Sequence, residues 1–158
     1  MSSEWYTLTS QKLFLAETLI KISQQAPDRG TVEATLQGAI ELSLRARKCL
    51  LLMIARYYQH KSAQPESLDE LKALIGTDAP ESVQLLAIAK KPGSWWDYLD
   101  QMELSQGKPP GKKKTISEDN IIAVAIDTGP DRSAALLADS IAAMRQYLTI
   151  LAERHEEW

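Results

Sequence analysis

Cysteine is almost absent from this sequence, because Cys49 is the only one among 158 residues. A lone cysteine excludes an intramolecular disulfide and suits a reducing compartment. The opening residues MSSEW also lack the basic stretch and apolar run of a secretory signal. These features predict a cytoplasmic protein. Leucines follow Cys49 directly, which predicts a buried and unreactive thiol.

Long hydrophobic runs and an excess of positive charge are also lacking. The longest nearly apolar stretch, residues 50–55, is far shorter than the about 20 residues that a membrane-spanning helix needs. The 21 acidic residues outnumber the 18 Lys and Arg residues, whereas a general nucleic-acid-binding protein needs the opposite balance. With 44% hydrophobic and 25% charged residues, the composition is that of an ordinary globular protein. We predict a single domain over residues 1–158, with no membrane segment and no nucleic-acid partner.

The motifs of the common catalytic and cofactor sites are missing as well. The sequence contains no GxGxxG, no Walker-type GKS/T and no GxSxG. The acids around His155 match neither the HExxH pattern nor the ExxH pattern of di-iron bundles. We therefore expect no cofactor and no metal ion, and we favour a protein without enzymatic activity.

What the sequence does contain is apolar residues at helical spacing. Steps of three and four residues predict three long helices, at about residues 3–25, 31–61 and 130–156. On the first helix, the predicted contact stripe consists of apolar residues at alternating steps of three and four, namely Trp5, Leu8, Leu15, Leu19, Ile22 and Ala26. The last helix carries apolar residues at heptad steps, and its many alanines are small enough to let a neighbouring helix approach closely.

Shorter elements separate the second and last long helices. Proline, glycine and serine signals predict short helices at residues 65–75, 80–90 and 94–104. Residues 106–115 contain glycine, proline and four lysines, which predicts a flexible basic loop. Residues 117–127 combine a helix start with strand-like isoleucines, and we favour a helix. The predicted fold class is thus all-α, a helical bundle.

Three side chains in these helices are candidates for binding a partner or ligand. Arg47 falls within the apolar stripe of the second helix, so it could meet an acid from another helix, mark a carboxylate site or extend along the edge of the core. Trp95 and Trp96 point about 100° apart on a helix. Either both are buried, or one is exposed and anchors a protein partner.

The run Lys112-Lys113-Lys114 could contact phosphates or form a solvated loop.

Arg56 and His60 lie four positions apart near the end of the second helix and can share one face. An arginine and a histidine can bind a phosphate and move a proton, which metal-independent RNA cleavage requires. The alternative is a helix C-terminus that carries cations because they interact favourably with the helix dipole.

This part of the sequence also resembles a known family. The pattern GAIELSLRA, followed by an arginine and a histidine, resembles HEPN domains over about residues 10–75. HEPN domains are helical bundles that act as toxin ribonucleases or as partners of minimal nucleotidyltransferases. The resemblance implies Arg56 and His60 as an active pair, although the three intervening residues are fewer than in the catalytic members.

The sequence therefore supports two functions from different classes. The first is a helical bundle that acts through contacts with a protein partner or with itself, as a homodimer. The second is a HEPN-like protein that cleaves RNA or partners a nucleotidyltransferase, with Arg56 and His60 as its candidate catalytic residues. A small-molecule pocket between the long helices is a third possibility.

Overall fold

The structure is a computed structural model that describes residues 4–109 and 132–156. Within these two ranges the chain forms helices and no strand, so the all-α prediction is confirmed. The helices are α1 (Glu4–Gln25), α2 (Arg29–Tyr57), α3 (Leu68–Ile75), α4 (Pro80–Lys90), α5 (Trp95–Gln106) and α6 (Ala134–Glu156). The predicted helix at 117–127 and the predicted loop from residue 110 onward lie outside the described residues.

The long helix α2 begins and ends earlier than predicted. Its N-cap is Asp28, whose Oδ1 accepts a hydrogen bond from the Thr31 main-chain N–H at 2.7 Å. This bond and a second one from the Thr31 hydroxyl lower the pKa of the Asp28 carboxyl. At the other end, Gln59 adopts a φ of 68°, in the left-handed region that commonly ends a helix. The turn around Gln59 stops α2 at Tyr57.

The short helices agree more closely with their predicted limits. Helix α4 spans residues 80–90 as predicted. Helix α3 begins later than expected, because Ser67 is its N-cap and accepts from the Glu70 N–H at 3.1 Å. Helix α5 has the predicted serine cap, Ser94, and continues two residues further than expected.

The core lies between α1, α2 and α6, with α5 packed against the last two. On α6, the heptad prediction is confirmed, because Leu137, Ile141, Met144, Leu148 and Leu151 are all buried. Helix α2 is the most buried long helix and contributes residues from Ala39 to Ala55. Cys49 is among them, with a buried thiol whose pKa is raised by that burial.

The predicted contact stripe of α1 is correct only in part, because its members Trp5 and Leu19 pack against the core. Leu15 and Ile22 are 39% and 45% exposed, and the side that packs carries Leu13, Ala16 and Ile20 instead. Both sets repeat at steps of three and four, so either satisfies helical periodicity. The packed side carries the smaller Ala16, and across the interface Gly38 of α2 lies so close to α1 that an added Cβ would stand 2.9 Å from Leu19 Cδ1. Gly38 thus lets Leu19 of the predicted stripe approach α2 closely, while Leu13, Ala16 and Ile20 are buried.

Candidate functional site

A groove of about 630 Å³ lies between α6 and the segment that connects α4 to α5. The α6 residues that line it run from Leu136 to Ile150, which is about 21 Å of helix at 1.5 Å per residue. The opposite wall is formed by Ile88, Pro92, Trp95 and Tyr98, among others. The groove therefore has the length of several helical turns and is lined largely by apolar side chains.

The α6 wall of the groove has an apolar residue at every seventh position. Leu136 and Ile150 are 40% and 43% exposed, and Ala143 lies midway between them. The core-facing stripe of α6 lies on an adjacent side of the same helix. The apolar surface of α6 is thus wider than the core covers, and the excess faces the groove.

The opposite wall is held in place by local hydrogen bonds. The Ser94 hydroxyl donates to the Ile88 carbonyl at 2.5 Å and accepts from the Asp97 N–H at 3.2 Å. Gly93, with a φ of 77°, lets the chain turn here, and its N–H donates to Asp97 Oδ2 at 3.0 Å. These bonds fix the start of α5 and hence the position of Trp95.

Trp95 and Trp96, the two candidate partner-binding tryptophans, are both buried, at 8% and 5% exposure. They contact each other edge to face, with ring centroids 5.5 Å apart. Trp95 also lies 6.2 Å from the ring of Tyr147 and lines the groove. Trp96 points to the other side of α5, where it meets Arg47.

Arg47 is 7% exposed and meets acids from another helix. Its guanidinium donates to Asp100 at 2.6 Å and to Glu103 at 2.9 Å, and lies 4.8 Å from the centre of the Trp96 ring. It also donates to the main-chain carbonyl of Trp96 at 3.3 Å. Arg47 therefore links α2 to α5 through both ionic and aromatic contacts.

Arg56 lies in the last turn of α2, whereas His60 follows the turn at Gln59 beyond the helix end, so the prediction that they share one helix face is wrong. The Arg56 guanidinium donates to the main-chain carbonyl oxygens of His60, at 2.5 Å, and of Ala63, at 2.8 Å. It also lies 5.6 Å from the centre of the Trp5 ring. The structure thus brings Arg56 to the main chain of His60, where it binds carbonyls beyond the helix end.

A buried ionic cluster that the sequence analysis did not predict lies around Glu81, in the first turn of α4. Its carboxylate is fully buried and accepts from Arg154 at 2.9 Å and from the Tyr58 hydroxyl at 2.5 Å. Nε2 of His155 lies 2.8 Å from the same carboxylate, and the imidazole stacks on Tyr57 with centroids 4.2 Å apart. The cluster joins the ends of α2 and α6 to the start of α4.

The electrostatics of this cluster favour an ionised Glu81. Burial is the largest single influence and acts to raise the pKa of Glu81, but hydrogen bonds from Tyr58, His155 and Arg154 together bring it below its ordinary value. Burial and the hydrogen bond to Glu81 raise the pKa of Tyr58 to about 12. The local sequence contains no sign of this arrangement, because an acid at a helix start and cations at a helix end each satisfy the helix dipole alone.

None of the described helices has the length and apolar character to cross a bilayer. Among residues 4–109 and 132–156, no three His, Cys, Asp or Glu side chains are placed so that they could hold a metal ion.

By its fold and its groove, the protein is an all-α helical bundle with an apolar groove beside its last helix. The chain belongs to a family of unknown function, DUF6586, whose model matches residues 1–158. No curated protein and no solved structure is similar enough to the chain to count as a match.

Proposed function

We propose that this protein acts in the cytoplasm through protein–protein contacts, without catalysis, and that the α6 groove is its interaction surface. The observation that carries the proposal is the exposure of Leu136 and Ile150 on either side of Ala143 along one wall. A single exposed leucine is ordinary on a protein surface. Apolar residues that line a groove together with aromatic side chains are typical of interaction surfaces.

The dimensions of the groove favour a helical partner segment. Its α6 wall repeats every seven residues, which is the spacing at which helices pack side by side. An amphipathic helix recognised in a groove buries residues at the same spacing. The hydrogen bonds around Ser94 hold the other wall in place, so little ordering is required when the partner binds.

The ionic clusters outside the groove support a structural role for the remaining charges. Arg47 is paired with two acids, and Glu81 accepts from three side chains. Both clusters join helices to one another. Their charges are already satisfied within the protein, so they offer less to a ligand than the groove does.

A photo-crosslinking experiment in cells tests this function. A benzophenone amino acid placed at Ile150 lies in the groove, whereas the same residue at Val83, which is 55% exposed on α4, does not. We expect a light-dependent protein adduct with the Ile150 variant that Ala143→Arg abolishes, and no adduct of that mass at Val83. Equal adducts at both positions, or none at Ile150, would contradict the proposal.

The HEPN-like activity is a second candidate. It is supported by the hydrogen bond from the Arg56 guanidinium to the main-chain carbonyl of His60, which lies just beyond the end of α2. The test is cleavage of a mixed RNA substrate, without metal, by the wild type, by His60→Ala and by Lys61→Ala as a neighbouring exposed control. Activity that only His60→Ala abolishes supports this candidate. No activity, or equal activity in all three proteins, excludes it.

A further inference from the structure

We propose that the partner in the groove is a second copy of this chain, whose α6 packs antiparallel to the first about a two-fold axis at Ala143. This inference rests on the proposed function, since it names the occupant of the same surface. Two-fold homodimers are the commonest protein oligomers, and their interface must be complementary to itself. The groove-lining residues of α6 meet this requirement.

The first element of self-complementarity is the position of the large apolar residues. In an antiparallel pair centred on Ala143, each position before the centre faces the position equally far after it. Leu136 and Ile150 stand seven positions before and after Ala143. Leu136 of each copy therefore meets Ile150 of the other, and this contact occurs twice.

The polar residues obey the same symmetry. Ser140, which is 8% exposed, and the exposed Gln146 both line the groove and stand three positions before and after Ala143. The serine hydroxyl and the glutamine amide can donate to and accept from each other. An antiparallel pair thus places a hydrogen-bonding pair on each side of the axis.

The central residue suits a helix crossing. Ala143 has no side chain beyond Cβ, and two helices with small residues at their contact can approach to the lower end of the usual axis separation of about 8–10 Å. Bulkier residues are needed only further along the pair, where Leu136 and Ile150 lie. The wall that carries Trp95 and Pro92 would flank the second helix. That wall adds buried surface area to the contact between the two α6 helices, and stable interfaces bury about 1,200–2,000 Å² in total.

A parallel pair is disfavoured by charge. Parallel packing places identical positions opposite each other, so Asp139, which is exposed on the groove wall, would face its own copy. Two negatively charged aspartates that face each other across a helix pair repel. In the antiparallel pair, Asp139 instead lies opposite the position of Tyr147.

Sedimentation velocity at micromolar concentration is the first test. The wild type is expected to be a dimer and Ala143→Arg a monomer. Ala142→Arg is the matched control, because Ala142 is exposed on the same helix but does not line the groove. It should remain a dimer. Unchanged circular-dichroism melting of both variants would show that the fold is intact. A monomeric wild type, or dimers of Ala143→Arg, would overturn the inference.

Thiol cross-linking tests the geometry and does not depend on disrupting the dimer. In a Cys49→Ala background, a short bis-maleimide should link Ala143→Cys to itself. Leu136→Cys and Ile150→Cys should be linked only when the two variants are mixed. Efficient self-linking of Leu136→Cys alone would indicate a parallel pair and overturn the antiparallel arrangement.

These results separate the inference from the function on which it rests. A monomeric wild type whose Ile150 photo-adduct contains a different protein would overturn the second copy and leave the groove as an interaction surface. A monomer with no groove adduct would contradict both. An adduct with the mass of two copies, together with a dimer in solution, supports both.

Discussion

His155 of α6 lies with its Nε2 2.8 Å from the buried carboxylate of Glu81, while its ring stacks on Tyr57 at 4.2 Å. This contact bridges residues 74 positions apart in the chain. Arg154 reaches the same carboxylate oxygen from the preceding position. The C-terminal end of α6 is therefore attached to the start of α4 mainly by charge, whereas its middle is attached by apolar packing.

We predict that Glu81→Gln destabilises the protein. The amide keeps the size of the side chain but removes the negative charge that Arg154 and His155 face. Loss of a hydrogen bond to a charged group costs about 1.5–3 kcal/mol, and the partial exposure of Arg154 places the effect toward the lower end of that range. Urea unfolding measures the change. Glu153→Gln, which removes an exposed acid of α6 next to Arg154, should change stability by less than about 0.5 kcal/mol.

The Glu81 carboxylate should also make stability depend on acidity. Because its pKa is lowered in the folded state from the ordinary 4.5, the unfolded chain binds the proton first as the pH falls. The stabilisation is therefore complete above about pH 4.5 and is lost as the pH falls through the lowered folded pKa. We expect a steeper acid loss of the free energy of unfolding in the wild type than in Glu81→Gln. Parallel pH profiles for the two proteins would contradict this.

An opposite dependence is expected at alkaline pH from Tyr58. Its pKa is raised from 10.0 to about 12, so the unfolded chain loses the phenolic proton first as the pH rises. The stabilisation is present below pH 10 and is lost as the pH rises toward 12. Burial raises the pKa of Tyr147 as well. Tyr58→Phe should therefore flatten only part of the alkaline loss, which thermal unfolding between pH 9 and 11 measures.

Arg47→Ala should destabilise the contact between α2 and α5. The guanidinium binds two acids and covers the Trp96 ring, but these acids are about half exposed, so solvent screens much of the ionic part. Lost packing and hydrogen bonds together should cost about 2 kcal/mol. Chemical denaturation followed by tryptophan fluorescence measures the loss. Arg45→Ala, at an exposed position of the same helix, should stay within about 0.5 kcal/mol of the wild type.

The sequence predicted the helices better than it predicted their faces. Caps and breakers are local, so the limits of α4 and the cap of α5 could be predicted from proline, glycine and serine alone. The buried face of α1 could be predicted only in part. Apolar residues occur on both sides of that helix, and whether Leu13 or Leu15 is buried depends on how the neighbouring helices pack against α1.

The candidate site was predictable only in part. The sequence predicts Trp95 as an aromatic residue on a short helix, but its place in a groove depends on α6, which follows much later in the chain. Leu136 and Ile150 carry no local signal, because a heptad helix with a wide apolar surface has the same pattern whether or not its flank is covered. The Glu81 cluster joins positions from three helices, and single-sequence patterns do not encode such distant pairs.

The burial of Cys49 has a practical consequence. It is the only thiol in the chain, it is 4% exposed, and its raised pKa reduces the reactive thiolate fraction further. An alkylating reagent can reach it only when α2 separates transiently from its neighbours. The rate at which the native protein is labelled therefore reports the free energy of that opening at a single known position, without any engineered probe.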